Sequence, residues 1–200
     1  MSVIGRADPD RDRCARSARQ TAAELHQKAG RWTAALIAAW LAAAAAAGAA
    51  QAGAAEDCNQ VRDLKRQLRG CTLYIKLAAG TPENLATAYL NRANIYARRR
   101  NYALAFSDYA AAISHDAHNP LIFYNRGNAY FDVARYEQAI GDYTRAIALD
   151  DGFALAYLNR GLARERNGET QAAAGDYRHV LTLDPSAAIA RERLQRLQSQ

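Results

Sequence analysis

From residue 86 onward the apolar positions recur with helical rather than strand periodicity. Tyr89, Ala93 and Tyr96 lie four and three residues apart, which places them on one helical face. Thirty-four residues later Phe123, Gly127 and Tyr130 take the same places; Tyr157 and Gly161 take them again, before Arg164 breaks the pattern. The second half of each row repeats the logic. Ala105, Phe106, Tyr109, Ala112 and Ile113 fall at i, i+1, i+4, i+7 and i+8. Ala139, Ile140, Tyr143, Ala146 and Ile147 match them, and so do Ala173, Ala174, Tyr177, Val180 and Leu181. Each row therefore predicts two amphipathic helices. The polar pairs Arg100-Asn101, Ala134-Arg135 and Asn167-Gly168 separate the two halves, and Gly168 suits the left-handed residue that ends a helix. The rows, 86–119, 120–153 and 154–187, close at Asp116-Ala117-His118-Asn119, Asp150-Asp151-Gly152 and Asp184-Pro185-Ser186; Pro185 stops its helix.

The small residues have a physical task. Ala93 with Ala105, Gly127 with Ala139 and Gly161 with Ala173 let paired helices approach closely. A 34-residue helix–turn–helix with aromatic, small, Tyr, Ala, Tyr and Ala at these columns resembles the tetratricopeptide repeat, over 102 of 200 residues. The resemblance implies an all-α, right-handed α-solenoid of about three repeats. Arg164, and Thr170 where Tyr102 and Tyr136 stand in the other rows, make the third row looser. After Pro185 the segment 188–200 reads as a capping helix. Ile189, Leu194 and Leu197 are expected to cover the open end of the array, with Arg191, Glu192, Arg193 and Arg196 facing water.

The first 52 residues have a different character. Lys28 and Arg31 precede an uncharged apolar run, 33–47, and Ala50-Gln51-Ala52 offers a small-x-small cleavage site. These features predict a secretory signal peptide of the bacterial type, removed after Ala52 or Ala55, and hence a periplasmic or secreted chain. The alternative is an uncleaved membrane helix, since residues 33–55 carry no charge. The region before the apolar run is long and holds Asp8, Asp10 and Asp12, which is unusual for a leader. Cys14 falls within it. Cys58 and Cys71 remain, an even number in an exported chain, and a disulfide between them is expected, with two buried free thiols as the alternative. Their 13-residue spacing equals that from Tyr96 to Tyr109, so residues 56–85 read as a degenerate half repeat in which the disulfide replaces an aromatic contact.

The composition agrees with closely packed helices. Four Phe, two Trp and one Met leave few large side chains for one deep core, and eleven Tyr partly compensate. The net charge of +6 divides evenly: residues 1–52 hold seven Lys/Arg and four Asp/Glu, leaving 19 and 16 for the rest. Mixed signs of that kind argue against nucleic acid as a partner. There is no Gly-rich phosphate loop, no GxSxG and no metal-ligand spacing beyond His115 and His118 in a turn, so no enzymatic activity, cofactor or metal is expected. Asp108, Asp142 and Asp176 recur at the repeat period, which suggests structural pairing with Arg92, Arg126 and Arg160 rather than a catalytic centre.

What the resemblance does imply is noncovalent binding of a protein or peptide, as an adaptor or assembly factor, in a concave groove lined by the first helix of each pair. The groove columns hold Leu90, Asn91, Asn94 and Arg98 in row one. Row two supplies Tyr124, Asn125, Asn128, Phe131 and Asp132; row three supplies Leu158, Asn159, Leu162, Glu165 and Arg166. Asn91, Asn125 and Asn159 have two open readings, as peptide-binding amides or as a ladder between repeats. Some domains of this family clamp a C-terminal carboxylate with two Asn and three cations. Asn94 and Asn125 match the Asn columns, but the cation columns hold Leu90, Leu155 and Asn159, so that clamp is not expected here.

Overall fold

A computed structural model describes residues 37–60, 62–77 and 80–199. Nine helices occur among the described residues: α1 (Ile37–Asn59), α2 (Leu64–Leu77), α3 (Pro82–Arg98), α4 (Tyr102–His115), α5 (Pro120–Asp132), α6 (Tyr136–Leu149), α7 (Ala154–Arg166), α8 (Thr170–Leu183) and α9 (Ala188–Gln198). No strand occurs among the described residues. The array belongs to the compact unit Gln51–Gln200. Within it α3 packs on α4, α5 on α6 and α7 on α8, and α2, α4, α6 and α8 each pack on the helix that follows. The first helices of successive pairs also touch, α3 with α5 and α5 with α7, which makes an α-solenoid. The basic segment and apolar-run residues before Ile37 lie outside the described residues.

Each pair closes around one tyrosine. Tyr109, Tyr143 and Tyr177 are at most 1% exposed. A Cβ built on Gly127 would stand 2.8 Å from the Tyr143 ring, and one on Gly161 would stand 2.6 Å from the Tyr177 ring. The small column is thus where helix meets aromatic, and row one meets the need with buried Ala93. The turn between paired helices is the same three times. Arg100, Ala134 and Gly168 all have positive φ, 58°, 57° and 84°. Their N–H groups and those of the next residues return to the last helical carbonyls, as in Asn101 N–H to Tyr96 O at 2.9 Å and Arg135 N–H to Tyr130 O at 2.9 Å. Two of these left-handed positions are therefore held by residues with a Cβ, against their preference. Rows close with an Asp whose carboxylate accepts a backbone N–H two residues on: His118 at Asp116, Gly152 at Asp150, Ser186 at Asp184.

The recurrent Asp and Arg do pair. Arg92 grips Asp108 through Nε at 2.7 Å and Nη2 at 2.8 Å, and Arg126–Asp142 and Arg160–Asp176 repeat the fork. All three carboxylates are buried. The arginines also lie against the aromatic column, Arg92 over Tyr89 and Tyr96, Arg126 over Phe123 and Tyr130, and Arg160 over Tyr157. Arg164, which replaces the third Tyr, donates to Asp176 at 2.8 Å. Row three thus gains a second cation on its buried Asp where it loses an aromatic.

Four expectations change. Helix α3 begins four residues before row one, because Thr81 caps it, accepting the Asn84 N–H at 3.4 Å, and Pro82 occupies the first turn. At the far end Ile189 is 55% exposed, and Ala190 with Leu194 and Leu197 covers Ala173, Tyr177 and Val180 instead. Arg193 and Arg196 do not simply face water, since both pair with Glu165. His115 is no free turn residue either; its ring stacks on Tyr89, with centroids 5.6 Å apart.

At the other end Cys58 and Cys71 are joined by a disulfide, Cα to Cα 4.4 Å, and both are almost fully buried with Ala54, Tyr74 and Ala88. The approach of α1 to α2 needs Gly70, where a Cβ would come within 2.4 Å of the Asp57 side chain. Helix α1 is long and apolar enough, by length and composition, to cross a membrane. Ile37, Trp40 and Leu41 on it are exposed.

Candidate peptide-binding groove

Side by side, α3, α5 and α7 present one face away from their partner helices. A cavity of about 410 Å³ lies between α3 and α5, walled by Asn91, Asn94, Arg98, Asn125, Asn128 and Asp132 and closed at one end by Gln67 of α2. A second, of about 190 Å³, continues between α5 and α7 and is walled by Asn128, Phe131, Asp132, Asn159 and Leu162. The floors are the core itself: Ile95, Tyr109 and Ala129 under the first, Tyr143 under the second.

The tyrosines that fix the fold also orient the groove. The Tyr109 hydroxyl donates to Asn94 Oδ1 at 2.6 Å, and the Tyr143 hydroxyl to Asn128 Oδ1 at 2.8 Å. Burial pushes the Tyr109 and Tyr143 hydroxyls well above the ordinary tyrosine range, so both stay protonated donors. With their oxygens committed, Asn94 and Asn128 keep amide N–H groups to offer a ligand. In row three the corresponding column holds Leu162, and the Tyr177 hydroxyl turns to Glu165 Oε2 at 2.6 Å.

The other asparagine column divides between its two readings. Asn159 Nδ2 donates across the repeat boundary, to Asn128 Oδ1 at 2.9 Å and the Tyr124 hydroxyl at 3.1 Å. Asn91 does the same two boundaries earlier, reaching Cys58 O and Asn59 Oδ1, both at 3.3 Å. Asn125 Nδ2 instead bonds Leu121 O of its own helix at 2.8 Å, and the residue borders the larger cavity. Two of the three are rungs of a ladder and the middle one is not.

One expected column is wrong as a groove wall. Leu90 is 7% exposed and packs with Ala86, Ala93 and Tyr109. Leu158 packs against the cluster of Tyr177 and Ala190. Tyr124 is wedged between Tyr143 and Phe153, ring centroids 6.0 and 4.8 Å away. These three residues share a single repeat position, and all are large and apolar, which was the signal that the position faces protein. Arg166 borders neither cavity, and Glu165 belongs to the end cap. Gln67 was missed. Its Nε2 donates to Cys58 O at 3.1 Å, and nothing in the irregular register of α2 marks it as groove-facing.

Helix pairs stacked at a fixed period, with a groove of oriented amides on one side, define an α-solenoid interaction module. Residues 120–153 match the family model for the tetratricopeptide repeat. The second TPR domain of human RPAP3, solved with the HSP70 peptide SGPTIEEVD, is 32% identical, with a TM-score of 0.57; the match covers 60% of this chain and 99% of that one. The Arabidopsis OM64 TPR domain is 28% identical at a TM-score of 0.56, over 60% of this chain and 98% of that one. MamA shares the fold alone, at 21% identity and a TM-score of 0.67, over 76% of this chain and 82% of that one. Comparison with curated protein sequences gave no match. The chain belongs to the tetratricopeptide-repeat family.

Proposed function

We propose that the chain is a noncovalent binding module, an adaptor or assembly factor, that holds a peptide segment of a partner protein in the groove along α3, α5 and α7. The observation that carries this is the pair Asn94 and Asn128, each held by a buried tyrosine so that its amide N–H groups meet an open cavity. Amides fixed in this way suit the carbonyls of an extended main chain. The likeness to RPAP3, which is solved with peptide bound, supports the reading. It does not extend to a chaperone-type C-terminal carboxylate. Of the cation columns of such a clamp, Leu90 is buried, Leu155 is an exposed aliphatic and Asn159 is a rung of the ladder.

Cross-linked affinity capture from the cell envelope tests this, comparing wild type with Arg98→Ala/Asn125→Ala/Asp132→Ala. These side chains border the cavity and none supports a buried partner, so helicity is expected to be unchanged. A protein captured by wild type and lost by the variant is the expected result. Equal capture by both sinks the groove as the site.

The same proposal places the chain in the periplasm or outside the cell, with residues 1–52 as the leader. A second reading, a membrane-tethered envelope component, is favoured by the length and hydropathy of α1. Ala54 and Cys58 of that helix are buried in the repeat core, so a retained span would have to end before Ala54. Intact mass of the protein from cells separates the two: a chain beginning at Gly53 or Glu56 supports export with cleavage, and an unprocessed chain supports the tether.

A further inference from the structure

The last residues of α3, α5 and α7 are Arg98, Asp132 and Arg166. They occupy one column of the repeat, all are exposed, and none enters an ion pair among the described residues. This contrasts with the other periodic charges, since Arg92, Arg126 and Arg160 are spent on buried carboxylates. Arg98 and Asp132 border the larger cavity, and Asp132 borders the smaller one as well. Along the ends of α3, α5 and α7 the charges thus run plus, minus, plus, one helix apart, the first two at cavities walled mainly by neutral amides and Arg166 just beyond them.

Resting on the groove reading above, we infer that the ligand is an extended segment of mixed charge, with an acid, a base and an acid three residues apart. The spacing follows from geometry. Neighbouring packed helices lie about 10 Å apart, and three residues of chain in the polyproline-II form rise about 9 Å and bring the side chains at i, i+3 and i+6 back to one face. An acid then meets Arg98, a base meets Asp132 and an acid meets Arg166. The pattern reads the same in both directions, so it holds whichever way the peptide runs. A wholly acidic peptide would set a carboxylate against Asp132, and a wholly basic one would oppose both arginines. The competing use of these charges is mutual attraction between the helix ends, which would stabilise the stack without selecting a ligand.

Fluorescence anisotropy with the full chain and three labelled peptides in a Ser/Thr/Val frame decides it. The peptides carry Glu-x-x-Lys-x-x-Glu, Lys-x-x-Glu-x-x-Lys and Glu-x-x-Glu-x-x-Glu. Wild type is expected to bind the first about tenfold more tightly than either other, with the preference shrinking as salt is added. Asp132→Arg should transfer the preference to the all-Glu peptide. Equal binding of all three overturns the charge inference but leaves the groove reading standing. A stability loss in Asp132→Arg with unchanged ligand order assigns the charges to the stack and overturns it too. Failure to bind any of the three at millimolar concentration also overturns it, while the capture experiment separately decides whether the groove is the site.

Discussion

At the scale of single residues, the left-handed turn position and the small column make opposite demands. Ala134 holds φ 57°, which costs an L-residue about 1–2 kcal/mol. Glycine removes that cost but adds backbone entropy to the unfolded chain. Ala134→Gly is therefore expected to stabilise by about 0.5–1 kcal/mol, read from the urea midpoint at constant slope. Gly161→Ala should act the other way. Helix propensity favours the change by about 1 kcal/mol, but the new Cβ would sit 2.6 Å from a fully buried tyrosine ring. Overpacking of about 1–3 kcal/mol wins, so a net loss near 1 kcal/mol is expected; stabilisation would mean that the helix pair opens freely around the added methyl. The positive φ was legible in sequence only at Gly168. Arg100 and Ala134 carry no chemical mark of it, and only their shared column gives them away.

At the scale of the helix pair, the Arg–Asp fork binds the first helix to the second. Burial pushes the Asp142 carboxyl above its ordinary range even with Arg126 beside it. Removing Arg126 leaves that charge uncompensated, so Arg126→Ala should cost about 3 kcal/mol at neutral pH. The sign with pH follows. A carboxyl whose pKa is raised in the fold favours folding when protonated, so the deficit against wild type narrows as pH falls through that raised pKa. A deficit independent of pH would assign the loss to packing of Arg126 on Phe123 and Tyr130. This fork was legible because both partners recur at 34 residues in the chain. The groove was less so. Asn94, Asn128, Arg98 and Asp132 stand where the repeat register put them. Leu90, Tyr124 and Leu158 lie one residue from the aromatic column, about 100° around the helix, and pack on neighbours. Register says which residues share a face, but it does not say how wide the covered part of that face is.

At the scale of the array, the two ends are held by different chemistry. A disulfide closing a loop of this length contributes about 3 kcal/mol in the chain-entropy model, and it holds the wall that presents Gln67 and Asn91 to the groove. Because repeats touch only their neighbours, reduction should loosen that end first. Under denaturing reductant, amide exchange is expected to rise in α2 and the start of α3 while α5 to α8 stay protected. Uniform loss of protection would show that the array melts as one unit. The irregular first pair is the part least readable from sequence, because its register departs from the 34-residue period and only the cysteine spacing points to it.

Glu165 lies on the first helix of the third pair and is bound by Tyr177, Arg193 and Arg196. One carboxylate therefore belongs both to the third groove helix and to the clasp of α9. Binding and cap closure then share a thermodynamic cycle: whatever a ligand gains or loses near Glu165 must reappear, equal in size, in the docking equilibrium of Ala188–Gln198. The last helix would act as a reporter of groove occupancy, with amide exchange along α9 changing on ligand addition although the ligand never touches it.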